Sequence, residues 1–494
     1  MRAARRILYL ILPLLAAAFA AKGQFRNLDF SSRCASSKTG LCYWDLSYGT
    51  RGSCSMYAEA NNPGLLIRGE ALTSVGYSEQ TAALPKIPGL RIIEVSARIR
   101  TENATGKGAG LNIGIYDAQD RLLNNKDMGH TSFSWIHGTT GWKVYRIRSI
   151  CPEGSARVRV GAILYGKGTA RFDDFKVTIT NIKGKKISPV AQEYLSAACD
   201  TIMRHSLVKD MIDIDGLKKK ALLIAGPAKT CADCYLAVEY LLSSLRAYGD
   251  EHSLFMGAPE VSRWQNGENT MARVRMPVGK VVDSCGYLLV PAFYTGNKKL
   301  AATYADTLQK MIAMLDKESI RGWVIDLREN TGGNQGPMIA GLGPFFSADK
   351  LGYLVNVNNT KQYWYYKNGV YGWNGEKVLQ VTQPVTLSKN RPIAVLTGGL
   401  TGSSGEVVAL SFTGNACTKS FGLPTWGLTI GNRSFELADG ARIMLASTVM
   451  ADRSGKLYQD SINPDVLVVQ GIETTGDDTL RKALEWLKTV KDVK

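Results

Sequence analysis

The hydrophobic rhythm of the chain changes near residue 190, and this change limits the fold more than any other feature of the sequence. From about 27 to 182 apolar residues recur at every second position. Ile93, Val95, Ala97 and Ile99 alternate with Glu94, Ser96, Arg98 and Arg100, and the runs from Leu111 to Ile115 and from Val158 to Ala162 repeat the theme. A period of two marks strands with one face buried. Short runs of this kind, separated by Gly, Asn and Asp turns and nearly free of helical spacing, predict an all-β jelly-roll sandwich. Beyond 190 the spacing becomes helical, over Tyr194 to Val208 and again over Tyr235 to Leu245. Unbroken apolar runs then appear at 323–325 and 393–396, each followed by a Gly-rich turn and a helical segment. Strands covered on both faces have this character, so an α/β domain is expected. The divisions predicted are a leader at 1–23, a β-sandwich at 24–182, a Gly/Lys/Pro linker at 183–192 and an α/β domain at 193–494 with a helical N-terminal part. Asp477-Asp478 is placed to cap a closing helix whose Leu480, Leu484 and Leu487 share one face.

The first 23 residues carry Arg2, Arg5 and Arg6 ahead of an apolar run from Ile7 to Ala20, and small residues precede Gly23-Gln24. That order is the signature of a secretory signal peptide, so an exported protein is expected, periplasmic, envelope-bound or extracellular. An uncleaved N-terminal anchor is the other reading; Pro13 interrupts the run, and no later stretch is long enough to span a bilayer. The net charge of +17 is spread along the chain, with no run longer than Lys218 to Lys220. This distribution argues against a nucleic-acid partner. Of nine cysteines, Cys34, Cys42 and Cys54 share one loop-rich stretch where a local disulfide fits an oxidising compartment. Cys231-Ala-Asp-Cys234 has redox spacing but precedes a helical run, and no second Cys/His pair completes a zinc site. Core thiols or a disulfide are expected there, and no metal or cofactor.

Three segments of the second region combine residues that chemistry needs. A strand at 392–397 runs into Gly398-Gly-Leu-Thr-Gly-Ser403-Ser404-Gly405-Glu406 and then a helix start. A serine on such a turn is exposed at the positive end of a helix, and the following amide, that of Ser404, points where an oxyanion would form. A Gly/Ser turn of this kind also suits a phosphate or cofactor cradle. The strand Trp323-Val-Ile-Asp326 continues into Leu-Arg328-Glu-Asn-Thr-Gly332-Gly333. Asp326 and Arg328 are expected to pair for architectural reasons, and the glycine pair to let backbone approach a ligand closely. The third segment is Gly249-Asp250-Glu251-His252-Ser253, at a helix end. Of the four histidines, His130 and His137 lie in the sandwich and His205 in a basic helical run, which leaves His252 as the best-placed general base.

In order along the chain, these three segments, Pro424-Thr-Trp-Gly427 and Ile462-Asn-Pro-Asp465 resemble the motifs of the tail-specific (C-terminal-processing) serine peptidases over about 190–490. The resemblance implies a crotonase/ClpP-like core, with the serine three residues before the glutamate, Ser403, as nucleophile. Gly332 or Gly333 and the Ser404 amide would form the oxyanion hole. Where the serine–lysine branch has its lysine this chain has Leu428, and an apolar side chain cannot take a proton. His252 then matches the base of the tricorn-like branch, and Asp460 is the acid nearest the position of that branch's orienting glutamate. No insertion resembling the family's peptide-binding PDZ module is evident between 253 and 322. The strand Gly168 to Ile179 resembles the last strand of galactose-binding-like and carbohydrate-binding-like sandwiches, which makes a glycan a candidate ligand there. Trp44, Trp135 and Trp142 could serve it or could be packing residues.

The function expected is serine-type hydrolysis of a protein or peptide substrate. The rival is a peptidase fold without activity that binds peptide or glycan at the envelope.

Overall fold

The structure is a computed structural model, and it describes residues 19–20, 25–35, 41–46, 54–58, 64–70, 74–85, 88–128, 135–184, 186–266, 274–346, 348–469 and 476–490. Most of the leader at 1–23 lies outside them; Phe19–Ala20 pair with Thr178 and Ile179. Among the described residues no helix is long and apolar enough to cross a membrane. The chain divides into two compact units between Gly184 and Lys185.

The N-terminal unit is built of antiparallel strands around Arg91–Tyr116. The first half of this strand lies between Ile136–Cys151 and Gly168–Asn181, whereas its second half pairs with Arg157–Tyr165 and Leu122–Asp127. The two halves meet at Gly106 and Gly108, both at positive φ, where the ladder loses register. The alternating residues do as the sequence predicts: Ile93, Val95, Ile99, Leu111, Ile113 and Val160 are all buried in one core. Trp44 and Trp135 belong to that core as well, so they are packing residues, and Trp44 packs against Phe30 and Phe175. Trp142 lies under the guanidinium groups of Arg98 and Arg100. A disulfide joins Cys34 to Cys42.

The C-terminal unit begins sooner than the expected linker allows. Ser188 Oγ accepts the Ala191 N–H and Pro189 occupies the first helical turn, so the helix Pro189–His205 already includes 189–192. Two further helices, Ile214–Ala225 and Tyr235–Ser244, complete the helical part. Cys231 and Cys234 occupy a 3-10 turn as free thiols, and burial pushes the Cys234 thiol up to about 11. An eight-stranded antiparallel sheet that sequence analysis did not anticipate is organised around Arg442–Asp452, which pairs with Leu254–Met256, Lys350–Asn356 and Ile430–Glu436.

The six-stranded sheet runs in the order Val278–Val282, Cys285–Leu289, Trp323–Asp326, Ile393–Thr397, Thr418–Gly422, Val466–Leu467, parallel except for its first pair. Its two central strands are apolar over 323–325 and 393–396 because both faces are covered. Trp323, Ile325, Ile393 and Val395 pack with the helices Lys298–Leu315, Gln335–Leu342 and Ser404–Phe412. Val324, Ala394, Leu396 and Phe421 face Ala483 and Leu487 of the closing helix Asp478–Thr489. Asp477 caps that helix through the Leu480 N–H.

One helix thus covers the centre of a sheet face, and a methyl group placed on Gly322 would lie 2.8 Å from Leu487. Leu487→Ala is expected to open a cavity and destabilise this unit by about 3 kcal/mol, the middle of the usual range for buried leucine. Urea unfolding followed by the transition of this unit measures it; a shift below about 1 kcal/mol would mean that the face is not covered as described.

Candidate active site

Adjacent parallel strands deliver two loops to the same carboxyl edge of the sheet. Trp323 pairs with Ile393 and Asp326 with Leu396, so residues 327–334 and 398–403 leave the sheet side by side. Crevices at this edge are the usual ligand sites of α/β sheets. Asn330, fully buried, holds the two loops together. Its Nδ2 donates to the Val290 carbonyl at 3.0 Å, its Oδ1 accepts the Gly332 N–H at 3.0 Å, and its own carbonyl accepts the Gly402 N–H at 3.0 Å. Asp326 and Arg328 pair at 2.7 Å as the sequence predicts, and Asp477 takes the guanidinium's other side at 2.7 Å. They frame the loop from outside it.

Ser403 sits at the turn into the helix Ser404–Phe412 with φ 51° and ψ −118°, a conformation that side-chain-bearing residues rarely adopt. Two contacts hold it there. The Ser403 N–H donates to Glu406 Oε2 at 2.7 Å, and Ser404 Oγ donates to the Gly333 carbonyl at 2.5 Å. A Cβ on Gly332 would lie 3.0 Å from Ser403 Cβ and 3.0 Å from the Ser404 nitrogen, so only glycine permits this approach. Gly332 and Gly333 both have φ near +100°. The Gly332 N–H is committed to Asn330, whereas the N–H groups of Gly333 and Ser404 have no acceptor among the described residues. Two unpaired amides beside a serine hydroxyl could receive a developing oxyanion, each worth about 3 kcal/mol in a transition state.

Glu406 is completely buried, and among the described residues no cation pairs with it. Its Oε1 accepts the Thr425 O–H at 2.6 Å and the Gly427 N–H at 2.9 Å, while Oε2 takes the Ser403 N–H. Burial pushes its carboxyl above the usual carboxylate range, against the pull of Thr425 and the amides of Gly427, Ser403 and Leu428. Thr425 Oγ1 also accepts the Ile462 N–H at 2.8 Å, which fixes residues 424–428 beside the serine turn.

His252 is bonded just beyond the other end of that segment, at Ile430. Gly249 ends the preceding 3-10 turn at φ 92°, and Asp250 accepts the N–H groups of His252 and Ser253 at 3.1 and 2.9 Å. The imidazole Nδ1 is 2.7 Å from the Ile430 carbonyl oxygen. A carbonyl only accepts, so Nδ1 carries the proton and Nε2 of the neutral ring keeps its lone pair. Burial pushes the His252 pKa below its usual value; the Ile430 carbonyl and the Asp250 charge oppose that shift. Ile430 follows Leu428 by two residues, a reach of at most about 7 Å. Asp460 is exposed, and its backbone carbonyl accepts the Thr429 hydroxyl at 3.0 Å. The Nδ1 side, where an orienting acid would bind, is taken by Ile430.

Asn330 and Glu406 stand within the motifs above, yet the sequence alone assigns neither a role. An Asn two residues before a glycine favours an Asx turn, which was the available signal for the first. For Glu406, the third helical position after a serine is the capping-box position, and the partner used here is the serine's own N–H. Among the described residues no cluster of three or more His, Cys, Asp or Glu could hold a metal.

The family model described as Peptidase family S41 matches residues 284–468, which include both loops. A nisin-resistance protein of Lactococcus lactis subsp. lactis is 27% identical over 304 residues, 61% of this chain and 89% of that protein. The solved structure of a lipoprotein from Streptococcus agalactiae is 26% identical with a TM-score of 0.50, covering 61% of this chain and 97% of the other. A putative peptidase from Parabacteroides merdae is 18% identical with a TM-score of 0.38, covering 60% and 96%. The serine turn and the glycine loop both lie inside the matched span, so the part of the C-terminal unit that matches the S41 peptidase family is the part that carries this site.

Proposed function

We propose that the protein is an exported serine peptidase that cleaves peptide bonds through an acyl-enzyme, with Ser403 as nucleophile and His252 as its general base. The observation that carries this reading is the coupling of both residues to one clamped segment. Glu406 binds the Ser403 amide and residues 425–428, and two residues further on Ile430 binds the imidazole. In the forward step His252 Nε2 takes the Ser403 proton as Oγ attacks the scissile carbonyl, and the Gly333 and Ser404 amides receive the oxyanion. The imidazolium then gives that proton to the leaving amine, and water repeats the sequence on the acyl-enzyme. In this reading the parallel sheet, covered on both faces, is a crotonase/ClpP-like core. The N-terminal unit is a jelly-roll accessory domain that holds peptide or glycan. The basic leader and the similarity to a lipoprotein and a nisin-resistance protein support a place at the cell envelope.

A fluorophosphonate probe is expected to label the wild type, and both Ser403→Ala and His252→Ala to abolish labelling and peptide turnover. A folded wild type that neither labels nor cleaves would leave a peptidase fold that only binds.

The pH profile follows from the imidazole. The neutral ring is the base, and burial lowers its pKa, so the active form persists to lower pH than for a free histidine. kcat/KM should therefore stay level through pH 7 and fall only below about pH 6.5. An acid limb above that value would show that the titrating group is not this imidazole.

Because the Ile430 carbonyl already fixes the ring, Asp460→Asn should retain kcat within roughly threefold, whereas loss of a true orienting acid costs on the order of 10⁴. A large loss would assign that role to Asp460.

A further inference from the structure

We infer that Leu400, Leu423 and Trp426 form a substrate subsite that selects an aliphatic or aromatic residue beside the scissile bond. This deepens the peptidase reading, since the occupant is whatever Ser403 attacks. The three side chains are large and apolar, yet 45%, 41% and 54% exposed. Single exposed apolar residues are ordinary, but here three stand on two backbone-bonded segments next to Ser403.

Backbone contacts hold the patch in place. Trp426 N–H donates to the Thr401 carbonyl at 2.8 Å, and Leu423 N–H donates to the Thr397 carbonyl at 3.2 Å. Thr397 Oγ1 returns a bond to the Leu423 carbonyl at 3.0 Å. Thr425, between the two exposed residues, is buried and bonded to Glu406. The Trp426 side chain lies against Gly402, where an added Cβ would come within 3.3 Å of the Trp426 Cβ and 3.7 Å of the ring. The indole therefore stands one residue from the nucleophile, on the turn that carries it. An apolar group bound there loses water-exposed surface without any reordering of backbone, which is how a preformed site gains affinity. A charged group would lose hydration there, so the patch discriminates by side-chain chemistry.

The test separates binding from cleavage by using the full-length Ser403→Ala protein. Alanine-based peptides carrying Leu, Phe or Asp at one central position are titrated by calorimetry. The Leu and Phe peptides should bind at least about tenfold tighter than the Asp peptide, which corresponds to about 1.4 kcal/mol. Trp426→Ala in the same background should remove most of that preference, and Trp426→Phe should keep it, with circular dichroism and melting temperature confirming the fold of each. Equal affinity for the three peptides, no binding of any, or a preference unchanged in Trp426→Ala overturns the inference. Should the preference hold while the wild type cleaves none of these peptides, the catalytic reading fails and the subsite stands.

Discussion

One buried carboxylate organises the site. Glu406 has no solvent exposure and no cation paired with it among the described residues, and such a charge is tolerated only when hydrogen bonds replace its hydration. Here the donors are the Thr425 hydroxyl and backbone amides from two separate stretches of chain. Each donor gains a strong bond by being fixed, so meeting the needs of one group immobilises two loops. The serine turn takes a strained φ because its amide must reach Oε2, and residues 425–428 are drawn against it by Oε1. Strain at a single residue costs on the order of 1–3 kcal/mol, an amount that a network of charge-assisted bonds can offset.

The parallel sheet supplies what the carboxylate alone cannot, a fixed origin for both loops. Ile393 and Trp323 are neighbours in the ladder and their side chains share one core, so the loops that follow start about one strand spacing apart. Asn330 then uses its side chain and its own carbonyl to lock one loop to the other. The Ser404 hydroxyl, bonded to the Gly333 carbonyl, completes the join. With those polar groups paired, the Gly333 and Ser404 N–H groups are left without an acceptor among the described residues, and the bonded loops fix their direction.

Much of this was legible in the sequence wherever the governing interaction is local. The runs at 323–325 and 393–396 are apolar throughout because helices cover both faces, and the closing helix declares itself by Asp477 and its leucine stripe. Asp326 and Arg328, two residues apart, pair across a strand end. What escaped depends on distant chain. The Ile430 carbonyl that fixes the imidazole lies 178 positions from His252, and no local pattern marks a backbone oxygen as a side chain's partner. The eight-stranded antiparallel sheet was missed for a related reason. Its strands at 350–380 are half exposed and rich in Tyr, Trp and Lys, so their period is blurred, and Arg442–Asp452 joins segments from three parts of the chain. The linker was overestimated because Pro189 reads as a break, although in the first turn of a helix proline is at home.

In the mechanism proposed for this site, a carbonyl in place of a carboxylate behind the imidazole changes the balance of the chemistry. Either acceptor fixes the Nδ1–H tautomer and aims Nε2, so positioning is retained. A carboxylate also carries a full charge that stabilises the imidazolium formed during attack, and a carbonyl dipole provides only part of it. The nearest compensating charge is Asp250, which bonds to the His252 amide rather than to the ring and raises the pKa only partly against burial. As the proposed base, His252 is therefore comparatively weak and stays neutral to lower pH than a free imidazole. In that mechanism more of the transition-state stabilisation would fall to the two amides and the helix start at Ser404, whose partial positive charge would act on the oxyanion without any proton transfer. That division of labour agrees with the dense bonding around the serine turn and the glycine loop.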